Sequence, residues 1–316
     1  MKFIHTADWH IGALRTRLPD DYLQRAHKMI RGISAVVESR SDGVLVMAGD
    51  VFDRKHVTNE ERDLLLSELM RLDKIGVTLV FINGNHDITQ PEMSNLGWLS
   101  ILCKYKKLHM EIADCKPKIT TVRDVPFVLY PPRVRDDPKL TPTVIRAYLK
   151  KRNLRDAIVV SHFRVGGTVG ETNKALPGVD KEDIRVDKYV QYWALGDVHS
   201  RQPVRKGAWY CGSPVQHKRN DALPKGVLLV DTEMETPQEI DIESTPLDTY
   251  EAIAEGWLPK MQAKLTVTGD ISTADIRSVI PLEVAKHIKA RGLGDEEAKP
   301  MIDYVNKVLA SIAEHR

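Results

Sequence analysis

Five short apolar runs in this chain each end in residue types able to bind metal ions, and no other feature restricts the fold as much. Phe3-Ile4 leads to Asp8-Trp-His10, Val44-Leu-Val-Met-Ala48 to Gly49-Asp50-Val-Phe-Asp53, and Val77-Thr-Leu-Val-Phe-Ile82 to Gly84-Asn85-His86-Asp87. Ala157-Ile-Val-Val-Ser161 stops at His162, and Tyr192-Trp-Ala-Leu195 at Gly196-Asp197-Val-His199. Apolar runs of this length, bounded by turn residues, read as buried strands. One Asp or His at a strand end is ordinary; five such ends in order point to a metal centre.

The first three strands alternate with helical patterns. Leu23, Ala26, Ile30, Ile33 and Val37 recur at spacings of three and four within residues 20–41, and Gly43 ends the stripe. Thr58-Asn-Glu-Glu61 is a capping box that opens a second helix through Leu65, Leu69 and Leu72, with Gly76 placed to stop it. A β-α-β-α-β order implies parallel strands joined by right-handed crossovers, with ligands gathered at the carboxyl edge of the sheet. A short helix is expected over 93–103, strands over 118–122 and 126–130, and a basic helix from Thr141-Pro142 through Lys150-Lys151-Arg152. The glycines at 166, 167 and 170 mark a long flexible loop, read either as a substrate-side loop or as a disordered excursion. Trp209–Pro214 and Gly226–Asp231 are expected to close the fold as antiparallel strands.

Beyond about residue 240 no strand tip carries a ligand. Lys264–Thr268 alternates like a strand, and residues 296–315 carry a helical stripe of Met301, Val305, Val308 and Ile312. The expected division is a large domain over 1–242 and a small accessory domain over 243–316, as a length of 316 residues suggests. Lysine and arginine total 46 against 44 acidic residues, a net charge of +2. That balance does not exclude a nucleic-acid partner, which needs only a local basic stripe. Three widely spaced cysteines suggest neither a zinc knuckle nor a disulfide framework. The N-terminus lacks the pattern of a signal peptide, and no apolar run approaches membrane-spanning length, so a cytoplasmic protein without membrane contact is expected.

Asp8, His10, Asp50, Asn85, His162, Asp197 and His199 make seven candidate ligands, too many for one zinc-like ion with about four. They suit two adjacent divalent ions, with Asp50 as the natural bridge. Such a pair, roughly 3.5–4 Å apart, clamps a phosphoryl group and lowers the pKa of bridging water. His86, beside Asn85, is placed to protonate a leaving oxygen, with Asp53 as the carboxylate that orients it. Arg54 is a candidate contact for a phosphate oxygen, as are Arg15, Arg17 and Lys218 near the site loops. Lys55, Arg133, Arg135, Lys150–Arg152 and Arg219 complete the basic groups able to track a DNA backbone, although the run 150–152 reads first as a solvated helix face.

Taken in order, these motifs resemble those of calcineurin-like metallophosphoesterases. Within that superfamily, His5-Thr-Ala-Asp-Trp-His-Ile-Gly12, Ala48-Gly-Asp-Val-Phe-Asp-Arg54 and Tyr210-Cys-Gly-Ser-Pro214 are similar to the SbcD nuclease family, over residues 1–231. The resemblance implies an α/β fold with a metallophosphoesterase β-sandwich core flanked by helices, and a small α+β C-terminal capping domain. It implies a DNA repair and recombination nuclease that uses manganese, or magnesium, and works with an SbcC-like SMC-family ATPase; a homodimer is also suggested. A phosphatase, a small-molecule phosphodiesterase and a catalytically weak DNA-binding scaffold are the alternatives. One departure stands out: the family's Gly-His-x-His is here Gly196-Asp197-Val198-His199. As a ligand, Asp197 would make the site harder and favour manganese or magnesium over softer ions.

Overall fold

Two six-stranded sheets lie face to face in the computed structural model, which describes residues 1–244 apart from 19–20, 106, 133–141, 171–173, 219–220 and 222. The expectations for an accessory domain over 243–316, for its strand at 264–268 and helix at 296–315, for the Thr141 cap and for Arg133, Arg135 and Arg219 lie outside the described residues, save for residues 243–244.

The first half of the chain alternates strand and helix: β1 (Lys2–Thr6), α1 (Tyr22–Arg40), β2 (Val44–Ala48), α2 (Asn59–Lys74) and β3 (Thr78–Ile82). A small hairpin, β4 (Ile88–Gln90) and β5 (Met93–Ser94), precedes α3 (Gly97–Lys104), so the expected helix over 93–103 begins later and gives its first residues to the hairpin. There follow β6 (Met110–Ala113), β7 (Lys118–Val122), β8 (Val125–Tyr130), α4 (Pro142–Lys151), β9 (Ala157–His162), β10 (Val190–Gly196), β11 (Gln202–Arg205), β12 (Ala208–Tyr210), β13 (Gly226–Asp231) and β14 (Gln238–Asp241).

The capping box forms as the sequence predicts: the Thr58 hydroxyl accepts from Glu61 N–H and the Glu61 carboxylate accepts from Thr58 N–H. Gly76, at φ +83°, closes the far end of α2, where Val77 N–H reaches back to the Leu72 carbonyl.

The first sheet runs β14-β13-β1-β2-β3-β6, parallel from β1 to β6 and closed by antiparallel β13 and β14. The second runs β11-β12-β10-β9-β8-β7, with β8, β9, β10 and β12 parallel. Alternation along each strand sends one set of side chains between the sheets and the other outward. Phe3, Val44, Val46, Val80 and Ile82 meet Phe127, Leu129, Ile158, Val160 and Tyr192 in the inner layer. Ile4, Leu45, Met47, Leu79 and Phe81 pack outward against Met29, Ile30 and Ile33 of α1 and Leu65, Leu69 and Leu72 of α2. Val159, Trp193 and Leu195 do the same against Ile145 and Leu149 of α4. Strands covered on both faces explain why the runs read as continuously apolar.

Two expectations need correction. The strand expected at 209–214 is the shorter β12, and it is antiparallel to β11 alone: the β11–β12 hairpin, turning at Gly207 (φ +69°), lays it parallel to β10. After His162 the described residues form no disordered excursion. They are tied by Gly166 N–H to the Val179 carbonyl, Val179 N–H to the Arg164 carbonyl and Leu176 N–H to the Thr168 carbonyl.

Candidate metal centre

Register decides where the polar tips fall. Thr6 pairs with Met47 and Ala48 with Ile82, so β1, β2 and β3 end level, and Asp8, Asp50 and Asn85 follow at one edge. His162 pairs with Gly196, which puts the ends of β9 and β10 level in the second sheet. The two edges are joined by hydrogen bonds: His162 Nδ1 donates to the Ala48 carbonyl at 2.7 Å, and Asp197 N–H donates to the Asp8 carboxylate at 3.2 Å.

Three overlapping groups of side chains converge there, each with ligand atoms within 4.8 Å of one another: Asp8, His10 and His199; His10, Asp50 and His86; Asp8, Asp50 and His162. Asp8, His10 and Asp50 are each shared between groups. Asn85 joins them through its amide oxygen, 3.1 Å from His162 Nε2. Asp8, His10 and Asp50 all sit at positive φ (53°, 44° and 56°), a conformation costing roughly 1–3 kcal/mol per non-glycine residue and tolerated where the surroundings enforce it. The glycines explain the tightness. A Cβ on Gly84 would lie 2.1 Å from Asp50 Oδ1, and one on Gly49 2.5 Å from His162 Nδ1.

The donor atoms fit divalent cations. Because His162 gives its Nδ1 proton to Ala48, the lone pair on its Nε2 faces Asp50 Oδ2 at 3.3 Å and Asn85 Oδ1 at 3.1 Å. His10 Nδ1 lies 3.4 Å from the Asp53 carboxylate, and its Nε2 lies 3.6 Å from Asp50 Oδ2 and 3.1 Å from His199 Nε2. Lone pairs aimed at oxygens and at another ring nitrogen are stable only around a proton or a metal ion. The protein alone solves this with protons. Burial opposes charge on His10, but Asp53, Asp50 and Asp8 outweigh it and hold the imidazole up at about 9. Burial likewise opposes charge on His162, and Asp50 raises it well above the ordinary histidine value. Asp50 stays well below the usual carboxylate range: burial pushes it up, and the imidazoles of His162, His10 and His86 overcome that.

The orienting roles differ from the sequence expectation. The Asp53 carboxylate faces His10, and what holds His86 is the Asp53 main chain: His86 Nδ1 donates to the Asp53 carbonyl at 2.6 Å, whereas the nearest Asp53 carboxylate oxygen is 3.9 Å away. His86 is otherwise open and lines a cavity of about 420 Å³ with Asp53, Lys55, Asn85, Ile88, Thr89, Gln90 and Pro91. Arg54 binds Asp53 and the Thr16 hydroxyl, and Arg15 braces the loop through Glu61 and the His56 carbonyl. Arg17 and Lys218 lie exposed on flanking loops. Asp197 belongs to none of the three groups; its Oδ2 accepts from Arg164 Nε at 3.0 Å.

Two residues matter more than the sequence suggests. Asp87, fully buried, accepts from Val51, Phe52 and Gly84 N–H and so ties the second ligand turn to the third. Burial and the nearby Asp50 push its carboxyl up to about 7, against the three N–H groups that favour its charged form. His217 lies outside every sequence motif. It donates from Nε2 to the Asp8 carbonyl at 3.0 Å, its ring 5.1 Å from that of His10 and 5.7 Å from that of His199. It stands seven residues beyond the end of β12 rather than at a strand tip, so nothing local marks it.

A sandwich with helices on its outer faces and imidazole–carboxylate clusters at the joined strand ends defines a metal-binding α/β hydrolase of the phosphoesterase type. The chain belongs to the calcineurin-like phosphoesterase family, whose model matches residues 1–201. Among its relatives, an SbcCD nuclease subunit of Staphylococcus saprophyticus is 27% identical over 295 residues, covering 84% of this chain and 75% of that protein. The protein of the same name from Bacillus subtilis is 27% identical, covering 80% of this chain and 72% of its own length. Among solved structures, the phosphopantetheinyl hydrolase of Mycobacterium tuberculosis aligns with a TM-score of 0.40 at 15% identity, over 72% of this chain and 95% of its own. Among the described residues no helix is long and apolar enough to cross a membrane.

Proposed function

We propose that this protein is a DNA nuclease that hydrolyses phosphodiesters with two divalent ions, manganese or magnesium, and acts beside an SbcC-like SMC-family ATPase in DNA repair. The observation that carries the reading is the sharing of Asp50, Asp8 and His10 among three ligand groups at one edge. Support for DNA as the substrate comes from the SbcD-like motifs and from relatives named as nuclease subunits.

In this reading Asp8, His10, Asp50, Asn85, His162 and His199 hold the ions. Ions held there supply a lowered water pKa and neutralise charge on the phosphoryl oxygens. The chain's own residues do the rest. Asp53 fixes the His10 ring through its carboxylate, and its carbonyl fixes the proton of His86 on Nδ1. The hydrogen bond from His86 N–H to Asp50 Oδ1, at 2.8 Å, ties the proton donor to the central carboxylate. In its imidazolium form His86 delivers a proton from Nε2 to the departing oxygen in the open cavity. A capping domain over residues 243–316 remains part of the proposal.

Purified protein with manganese and end-labelled DNA provides the test. Cleavage should vanish on chelation and fall about 10²–10⁴-fold in His86→Ala, with manganese binding retained. DNA binding without cutting under any divalent ion would replace the nuclease with a scaffold. Hydrolysis of phosphomonoesters alone would replace it with a phosphatase.

A further inference from the structure

Arg164 stands two residues beyond His162 and has no role in the reading above. Its side chain is about half exposed (49%), yet its main chain is pinned on three sides. Val179 N–H donates to the Arg164 carbonyl at 2.9 Å. The buried Tyr210 hydroxyl donates to the Phe163 carbonyl at 2.8 Å and accepts from Val165 N–H at 2.9 Å. Gly178 leaves no freedom on the other flank, since a Cβ there would come within 2.4 Å of the Arg164 carbonyl. The side chain is aimed too: Nε donates to Asp197 Oδ2 at 3.0 Å, and Asp197 N–H is itself bonded to the Asp8 carboxylate. A guanidinium anchored through Nε keeps its two terminal nitrogens for a second partner, in a planar fork that matches two oxygens of a phosphate. Asp197 in turn feels the charges of His162, Asp8 and Asp50, so the arginine stands directly beside the ligand groups.

We infer that Arg164 binds the substrate's phosphate at the edge of the metal centre, and that Asp197 is the positioning residue that orients it. The carboxylate standing where the family has histidine then serves a fixed arginine. This rests on the phosphoesterase reading and deepens it.

Three measurements on the full chain test it. Calorimetry of inorganic phosphate binding to the magnesium-loaded protein should show Arg164→Gln weaker by about tenfold or more, since a charge-assisted contact is lost. With bis(p-nitrophenyl) phosphate and manganese, Arg164→Gln should lower kcat/KM by about 10–100-fold, chiefly through KM. Arg164→Lys should recover only part of this, and Asp197→Asn should lose less and add nothing to Arg164→Gln. Manganese stoichiometry should match the parent in all three single variants. Unchanged phosphate affinity in Arg164→Gln overturns the assignment. So does loss of a bound manganese in Asp197→Asn, which would make that carboxylate a ligand. If the parent hydrolyses neither DNA nor the diester, the phosphoesterase reading fails, and the phosphate titration still decides Arg164.

Discussion

His5 provides a test of the buried layer beneath the metal centre. It is fully buried on β1, its Nδ1 3.2 Å from the Tyr192 hydroxyl and its ring edge-on to that tyrosine at 5.9 Å. Burial pushes its pKa down to about 3 from an ordinary 6.5, with a backbone hydrogen bond near Leu195 as a small opposing influence. Between those values the unfolded chain binds a proton that the native protein refuses, so stability falls as pH falls below 6.5 and is fully present above it. At pH 5 the loss is about 2 kcal/mol; below pH 3 it approaches ~5 kcal/mol. The pH 5 figure depends almost wholly on the ordinary value, because the native histidine is neutral there in any case. His10 and His162, with raised values, act in the opposite sense over the same range, so the parent's profile alone does not isolate His5. The assay is therefore urea unfolding of chelated protein at pH 7.5 and 5.0, for the parent and for His5→Gln, which keeps a polar partner for Tyr192. Acidification should cost the parent about 2 kcal/mol more than the variant, or roughly 4–8 °C in Tm. Parallel profiles, agreeing within about 0.5 kcal/mol, would refute a buried neutral histidine at this position.

Manganese binding at pH 7.5 should release about two protons, from His10 and His162, so its heat should vary with the buffer's ionisation enthalpy and its affinity should rise toward pH 9; buffer-independent heats would refute this. Gly84→Ala should abolish tight manganese binding and destabilise by about 1–3 kcal/mol, because its Cβ meets Asp50 Oδ1 at 2.1 Å and Asp50 N at 2.3 Å; parental affinity in a manganese titration would show that the turn yields. Asp87→Ala leaves three buried N–H groups without their carboxylate, each costing about 1–3 kcal/mol, so the variant should melt well below the parent, and Asp87→Asn closer to it; equal melting temperatures would mean the two turns hold without it.

Much of the framework was legible because it is local. The period of the apolar residues marks strands and helices, the Thr58–Glu61 box marks a helix start, and the five polar tips follow their strands directly. Once β1, β2 and β3 are parallel and level, Asp8, Asp50 and Asn85 must share an edge. What no local pattern contained was which atom answers which across the two sheets. Asp53 turned its carboxylate to His10 and only its carbonyl to His86; Asp197 paired with Arg164; His217, well past the end of β12, arrived beside Asp8. The direction of β12 likewise followed from a hairpin whose pairing is set by its neighbours.

The sequence by itself determined the strand-end ligands and the parallel order that collects them, since both depend on residues close together in the chain. Only the tertiary structure decided the partners of Asp53, Asp197 and His217. Those depend on how two separately registered sheets meet, and on contacts such as the 3.0 Å one between His217 and Asp8, which are 209 residues apart.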